Sequence, residues 1–75
     1  MNNDEDLRQR VECDPDLHHG QPCIRGTRIA VATIVATLTE MPIAELLAAY
    51  PQLTRDDVNA ALFYAAEASH NTLVS

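Results

Sequence analysis

Up to Pro51, proline and glycine punctuate this chain so closely that only short elements fit between them. Asp14-Pro15-Asp16 is a turn signal, because the proline pre-sets φ at the second position. Gly20-Gln21-Pro22 is another. Gly26 lies between two arginines in Cys23-Ile24-Arg25-Gly26-Thr27-Arg28-Ile29 and marks a bend, since glycine reaches φ values closed to other residues. Pro42 fits the first position of a helix. Pro51 ends one, because the residue before a proline is pushed out of the helical region.

Between these marks the apolar pattern predicts a short ribbon and three helices. Val11-Glu12-Cys13 alternate as a strand, and Cys23-Ile24-Arg25 can pair back on them. A lone two-stranded ribbon is marginal in water, so it needs the helices or a second subunit to pack on. The first helix is predicted over Ala30–Thr39, with Val31, Ile34, Val35 and Leu38 on one face. The second is predicted over Ile43–Ala49, with Ile43, Leu46, Leu47 and Tyr50 inward. The third starts at Thr54, a strong N-cap with Asp57 in the capping-box position and Leu53 and Val58 as a hydrophobic staple. Asp56 and Asp57 also suit the positive end of its dipole. Its inner face is predicted as Val58, Ala61, Leu62, Ala65 and Ala68, and its end near Ser69.

Residues 1–10 have almost no apolar content and are expected to form a flexible tail. Residues 70–75 are expected to fray. The single domain is then 11–69. The fold expected is mostly α, a three-helix homeodomain-like (helix-turn-helix) bundle preceded by a short N-terminal β-ribbon. The turn Tyr50-Pro51-Gln52-Leu53-Thr54 would separate a supporting helix from one able to enter a groove.

Size and charge limit the partners. A chain of 75 residues buries only roughly 60% of its unfolded surface. A homodimer or a larger partner would relieve that marginal core. The net charge is −6 and lysine is absent. That weighs against a stand-alone nucleic-acid binder, whose footprint is clustered basic charge. Residues 1–24 hold six acids and two arginines, a net of −4, and residues 25–75 a net of −2. There is no apolar run long enough to span a membrane and no signal-peptide pattern. The expected location is the cytoplasm, where two cysteines stay reduced.

Each candidate site has a functional and an ordinary reading. Arg55 and Asn59 stand at the outward N-terminal positions of the third helix, where arginine reads guanine and asparagine reads adenine. Yet Asp56 and Asp57 would face phosphates at the same end, and the ordinary reading is a capped surface helix. Arg25 and Arg28 suit a phosphate or an acidic group on a partner. They could equally tie the ribbon internally to Glu12, Asp14 or Asp16. Charge reversal of Arg28 would separate the two. Cys13, His18, His19 and Cys23 bring four zinc-type ligands into eleven residues, but in no standard spacing. The alternative is two small buried cysteines and two loop histidines. Phe63, Tyr64 and Tyr50 carry all the aromatic content. An outward Phe63 would anchor a second subunit or another partner. No catalytic motif stands out, and no enzyme activity or cofactor is expected.

Several of these elements together resemble a known family. They are Asp14-Pro15; Gly20-x-Pro22-x-Ile24-Arg25-Gly26-Thr27-Arg28-Ile29; Tyr50-Pro51-x-Leu53-Thr54; and Ala60-Ala61-Leu62-x-Tyr64-Ala65. From about Val11 to Ala66 they are similar to DUF433, small prokaryotic proteins predicted to be antitoxins of type II toxin–antitoxin systems. The resemblance implies a homeodomain-like fold, a cognate toxin such as a PIN-like ribonuclease, and repression of its own operon through operator DNA. It implies no metal site at Cys13, His18, His19 and Cys23. Related sequences usually carry glycine where this chain has Glu40, so the exit from the first helix is expected to differ. Plain DNA-binding regulation and protein interaction without DNA binding are the alternative functions.

Overall fold

A computed structural model describes residues 3–16 and 20–74, with side chains over 5–16 and 20–69. The chain order is α1 (Asn3–Gln9), β1 (Val11–Cys13), β2 (Pro22–Ile24), β3 (Ile29–Ala30), α2 (Val31–Leu38), α3 (Ile43–Ala49) and α4 (Arg55–Val74). The fold is mostly helical, with four helices among the described residues and one small antiparallel sheet in the order β1-β2-β3.

The expected ribbon is present. Val11 faces Ile24 and Glu12 faces Cys23, so the alternation places Val11 and Ile24 together on the core side. Pro22, which has no N–H to give the ladder, sits at the first residue of its strand. Asp14 Oδ1 accepts the Asp16 N–H at 2.9 Å, an Asx turn at the expected Asp14-Pro15-Asp16 signal. The third strand was not anticipated. It holds two residues, pairing Ile24 with Ile29 and Cys23 with Ala30, too few for any periodicity to show.

The helices follow their punctuation. α3 ends at Ala49, with Tyr50 in a non-helical conformation ahead of Pro51. Pro42 lies one position before the first helical residue, serving as the N-cap. At the end of α2, Thr39 N–H bonds the Ala36 carbonyl, and Glu40 N–H bonds the Thr37 carbonyl. This tight exit needs no left-handed residue. Arg28 is the one non-glycine with positive φ among the described residues. Glu40 therefore follows α2 in a turn that uses no glycine cap.

The core gathers Val11, Ile24, Val31, Ile34, Leu46, Leu53, Val58, Ala60 and Ala61. α4 is its spine, touching α1, α2, α3 and β1. Its buried face differs from the predicted one. Val58 and Ala61 are inside as expected, but Ala60 is buried with them and Leu62 is 41% exposed. Ala68 is exposed too. Contacts to α1 on one side and α2 on the other define the face, and alanines let those helices approach closely.

Both ends of the chain also correct the expectation. Residues 3–9, expected as part of a flexible tail, form α1 and pack on α4. Asp6 and Arg10 pair four residues apart across its last turn, a spacing that supports helix. Leu7 supplies its apolar contact with the core. At the other end α4 continues to Val74 instead of ending near Ser69 or fraying over 70–74.

Candidate functional site

The N-terminus of α4 is built first by its own cap. Thr54 N–H donates to Asp57 Oδ2 at 3.0 Å, and Asp57 N–H donates to Thr54 Oγ1 at 3.2 Å. This reciprocal box satisfies two backbone donors that a helix start leaves without partners. Leu53 and Val58, the staple residues, are buried in the same cluster. The box also aims the second oxygen of Asp57 towards α1.

Arg10 meets that oxygen. Its Nη1 donates to Asp57 Oδ1 at 3.1 Å, Nη2 lies 3.6 Å from Asp56 Oδ2, and Nε lies 3.6 Å from Asp6 Oδ2. The hydrogen bond to Asp57 is the main reason its pKa rises above the ordinary arginine value; burial opposes this and the three carboxylates add to it. Nε is buried without a hydrogen-bond partner, because 3.6 Å is too long to count as one. An open cleft of about 390 Å³ lies here, lined by Asp6, Gln9, Arg10, Arg25 and Asp57.

A second contact joins α1 to α4 further along. Arg8 Nη2 donates to Glu67 Oε2 at 2.7 Å and its Nε to Oε1 at 3.3 Å. The same guanidinium lies 5.3 Å from the ring centre of Phe63, within cation–π range. The Arg8 hydrogen bond holds the Glu67 carboxyl below the usual glutamate range. Arg8 and Arg10 thus reach in opposite directions along α4. They meet Asp56 and Asp57 at its start and Phe63 and Glu67 two to three turns later.

Of the residues singled out from sequence, Arg25 has an internal role. Its Nε donates to the Gln9 carbonyl at 2.9 Å and its Nη1 to Glu12 at 3.3 Å. Its backbone N–H donates to the Arg10 carbonyl at 2.7 Å. It therefore ties the chain at Gln9–Arg10 to the sheet. Arg28 is exposed, with no hydrogen bond or ion pair among the described residues. It holds a left-handed backbone at φ 62° next to Gly26 at φ 83°. Thr27 pins the turn between them, its hydroxyl donating to the Ile24 carbonyl at 2.9 Å and accepting the Ile29 N–H at 3.0 Å. A Cβ on Gly26 would meet nothing within 4 Å, so only the backbone resists substitution there. Gly26→Ala is expected to cost about 1–2 kcal/mol, and Arg28→Gly to gain about 0.5 kcal/mol by removing a similar penalty. Thermal melts of the two variants check both signs.

Arg55 and Asn59 are exposed on α4. Asn59 shares a small pocket with Asp6, Leu7 and Asp56, so α1 and its carboxylate stand beside the side chain expected to read adenine. Phe63 is half-buried rather than fully outward, with Arg8 over it. Arg8, Arg10 and Glu67 were missed from sequence. The signal that could have found the first two is the Asp6-to-Arg10 helical spacing inside a segment otherwise read as a tail.

The zinc set is not assembled by the part of it that is described. Cys13 stands opposite Pro22, and Cys23 opposite Glu12. The two cysteines are thus one residue out of register and point from opposite faces of the ribbon. Cys13 is exposed and Cys23 buried, both free, so the reading of two buried cysteines holds for Cys23 alone. His18 and His19 lie outside the described residues. Among the described residues no group of three metal-type ligands occurs. Cys13 Sγ instead lies 3.8 Å from the Tyr64 hydroxyl. That contact, followed by burial, raises the Tyr64 pKa.

The fold and this charged seam define a small, mostly helical domain with an N-terminal three-stranded sheet and a helix laid across its longest helix. The family described as proteins of unknown function (DUF433) matches residues 11–65, and the chain belongs to it. A crystal structure of a DUF433 member protein from Anabaena variabilis superposes with a TM-score of 0.76 at 38% sequence identity. The match covers 89% of this chain and 67% of that one. No curated protein matches the sequence. No helix among the described residues is long and apolar enough to cross a membrane.

Proposed function

We propose that this protein is an antitoxin-like binding protein of a type II toxin–antitoxin system, and that it neutralises a PIN-like ribonuclease toxin encoded beside it. The observation that carries this reading is the row of Asp56, Phe63 and Glu67 along one side of α4, with Arg10 and Arg8 already seated on it. Carboxylates around an aromatic ring complement the basic surface by which a ribonuclease holds RNA. The resemblance to DUF433 supplies the class of toxin. In this reading the protein is a cytoplasmic homodimer, since so small a core gains from a partner. α3, the Tyr50–Thr54 turn and α4 act as its helix-turn-helix pair. Operator DNA is bound for autorepression through Arg28 and Arg55 of both subunits, arginines that are exposed and form no ion pair among the described residues.

A protein-interaction module without DNA binding is the alternative. It is favoured by the acidic surroundings of Asn59, where Asp6 and Asp56 repel a phosphate backbone. One experiment separates the readings. The protein is added in stoichiometric excess to the nuclease encoded beside its gene, and RNA cleavage is followed. Fluorescence anisotropy on the upstream DNA is run at two salt concentrations. Cleavage is expected to stop, and Arg28→Glu is expected to weaken DNA binding at least tenfold without blocking inhibition. Undiminished cleavage sinks the antitoxin reading. Inhibition without DNA binding leaves the interaction module.

A further inference from the structure

The seam between α1 and α4 has unequal ends. At Gln9–Arg10 the chain is fixed, because Arg25 takes both carbonyls and Arg10 reaches the buried Asp57. α1 itself has only seven residues, with Leu7 as its single apolar side chain. A helix so short has little stability of its own. Beyond Leu7 it meets α4 through Arg8, which lies over Phe63 and pairs with Glu67, both side chains of that pair being about half exposed. Ion pairs of that kind contribute little in water. Both α1 and Glu67 also lie outside residues 11–65, the span matched to the family.

Arg8 displays what the covered surface takes. It binds one carboxylate through two nitrogens while lying over an aromatic ring. A guanidinium can do both at once, whereas an ammonium has no plane to stack and no fork to offer. We propose that α1 is a displaceable strap, pivoting at Gln9–Arg10, over a docking site formed by Phe63 and Glu67. The occupant that replaces Arg8 is an arginine-bearing segment of a protein partner. This deepens the antitoxin reading and rests on it only for the identity of the partner. With the strap seated, the site is open only part of the time, and the apparent affinity of any competitor is reduced by that fraction.

The test uses the full chain and a fluorescein-labelled alanine–arginine peptide, with an alanine–lysine peptide of equal length beside it. Arg8→Glu repels Glu67 and opens the site; it is expected to bind the arginine peptide at least fivefold tighter than wild type does. Its preference for arginine over lysine should also rise, and Phe63→Ala in that background should erase the preference. Adding Glu67→Gln should remove the gain. The double variant Ala44→Glu with Ala48→Glu changes the net charge equally on the exposed side of α3 and is expected to leave affinity within twofold of wild type. If Arg8→Glu loses helical circular dichroism, Arg8→Ala releases the strap without repulsion and should still gain threefold. Equal affinity of wild type and both Arg8 variants overturns the proposal. So does a gain by the α3 variant as large as that of Arg8→Glu. Neither peptide result depends on the nuclease, so the strap can fail while inhibition stands, and the reverse.

Discussion

Replacing Asp57 with alanine is expected to remove about 2–3 kcal/mol of stability and lower the melting temperature by roughly 10–20 °C. Two losses combine. The Thr54 N–H loses its acceptor at the start of α4, a capping loss of about 1 kcal/mol. The Arg10 guanidinium loses its shortest carboxylate contact. Removing one member of a fully buried pair costs roughly 3–5 kcal/mol, but Arg10 is one-third exposed. Solvent screening and its neighbours Asp6 and Asp56 bring the figure down to about 1–2 kcal/mol. Asp57→Asn keeps an acceptor for Thr54 and loses the charge, so it should fall between wild type and alanine. Arg10→Met combined with Asp57→Ala closes a double-mutant cycle, in which the two losses should overlap because they share one contact. Urea unfolding that leaves Asp57→Ala within 0.5 kcal/mol of wild type would mean that the capping box and the ion pair do not hold the helix start.

The parts of this fold with local causes were legible in the sequence. Thr54 and Asp57 announced their helix start by type and spacing alone, and α3 falls within the residues that Pro42 and Pro51 bracket. Val11 and Ile24 could be matched because strand alternation is local once the turns are known. α1 had no such cause. Its arginines find Asp57 and Glu67 across 47 and 59 residues of chain, and no pattern within seven residues records that. The same holds for the face of α4. The predicted stripe took in Leu62 and Ala68 and left out Ala60, but contacts on two sides turned the buried face towards Ala60. For the site, the exposed turn bearing Arg25 and Arg28 was legible from Gly26. The division of labour between those arginines was not, because it depends on where Gln9 and Glu12 come to lie.

Leu46→Ala is expected to cost about 3–4 kcal/mol, the larger of the two effects. Leu46 is 0% exposed and is the one fully buried side chain that α3 contributes. α3 packs on α2 and α4, so a cavity at Leu46 weakens both contacts at once. A chain of 75 residues has a total stability of roughly 4–11 kcal/mol, and the variant should therefore melt far below wild type and be almost wholly unfolded at the wild-type melting temperature. Leu47, half-buried beside it, should cost about 1 kcal/mol as alanine, in proportion to the smaller area it hides. The denaturant midpoint should fall with an unchanged slope if only stability is lost. A functional consequence follows from the backbone. The Tyr50 N–H donates to the Leu46 carbonyl at 2.9 Å, and Leu53 N–H to the Tyr50 carbonyl at 2.9 Å. Leu46 therefore holds the near end of the turn whose far end is the Thr54–Asp57 box. A loss below 1 kcal/mol would mean that α3 is not packed on α4 through Leu46. The fixed angle between those helices, on which the helix-turn-helix reading depends, would then have no physical support.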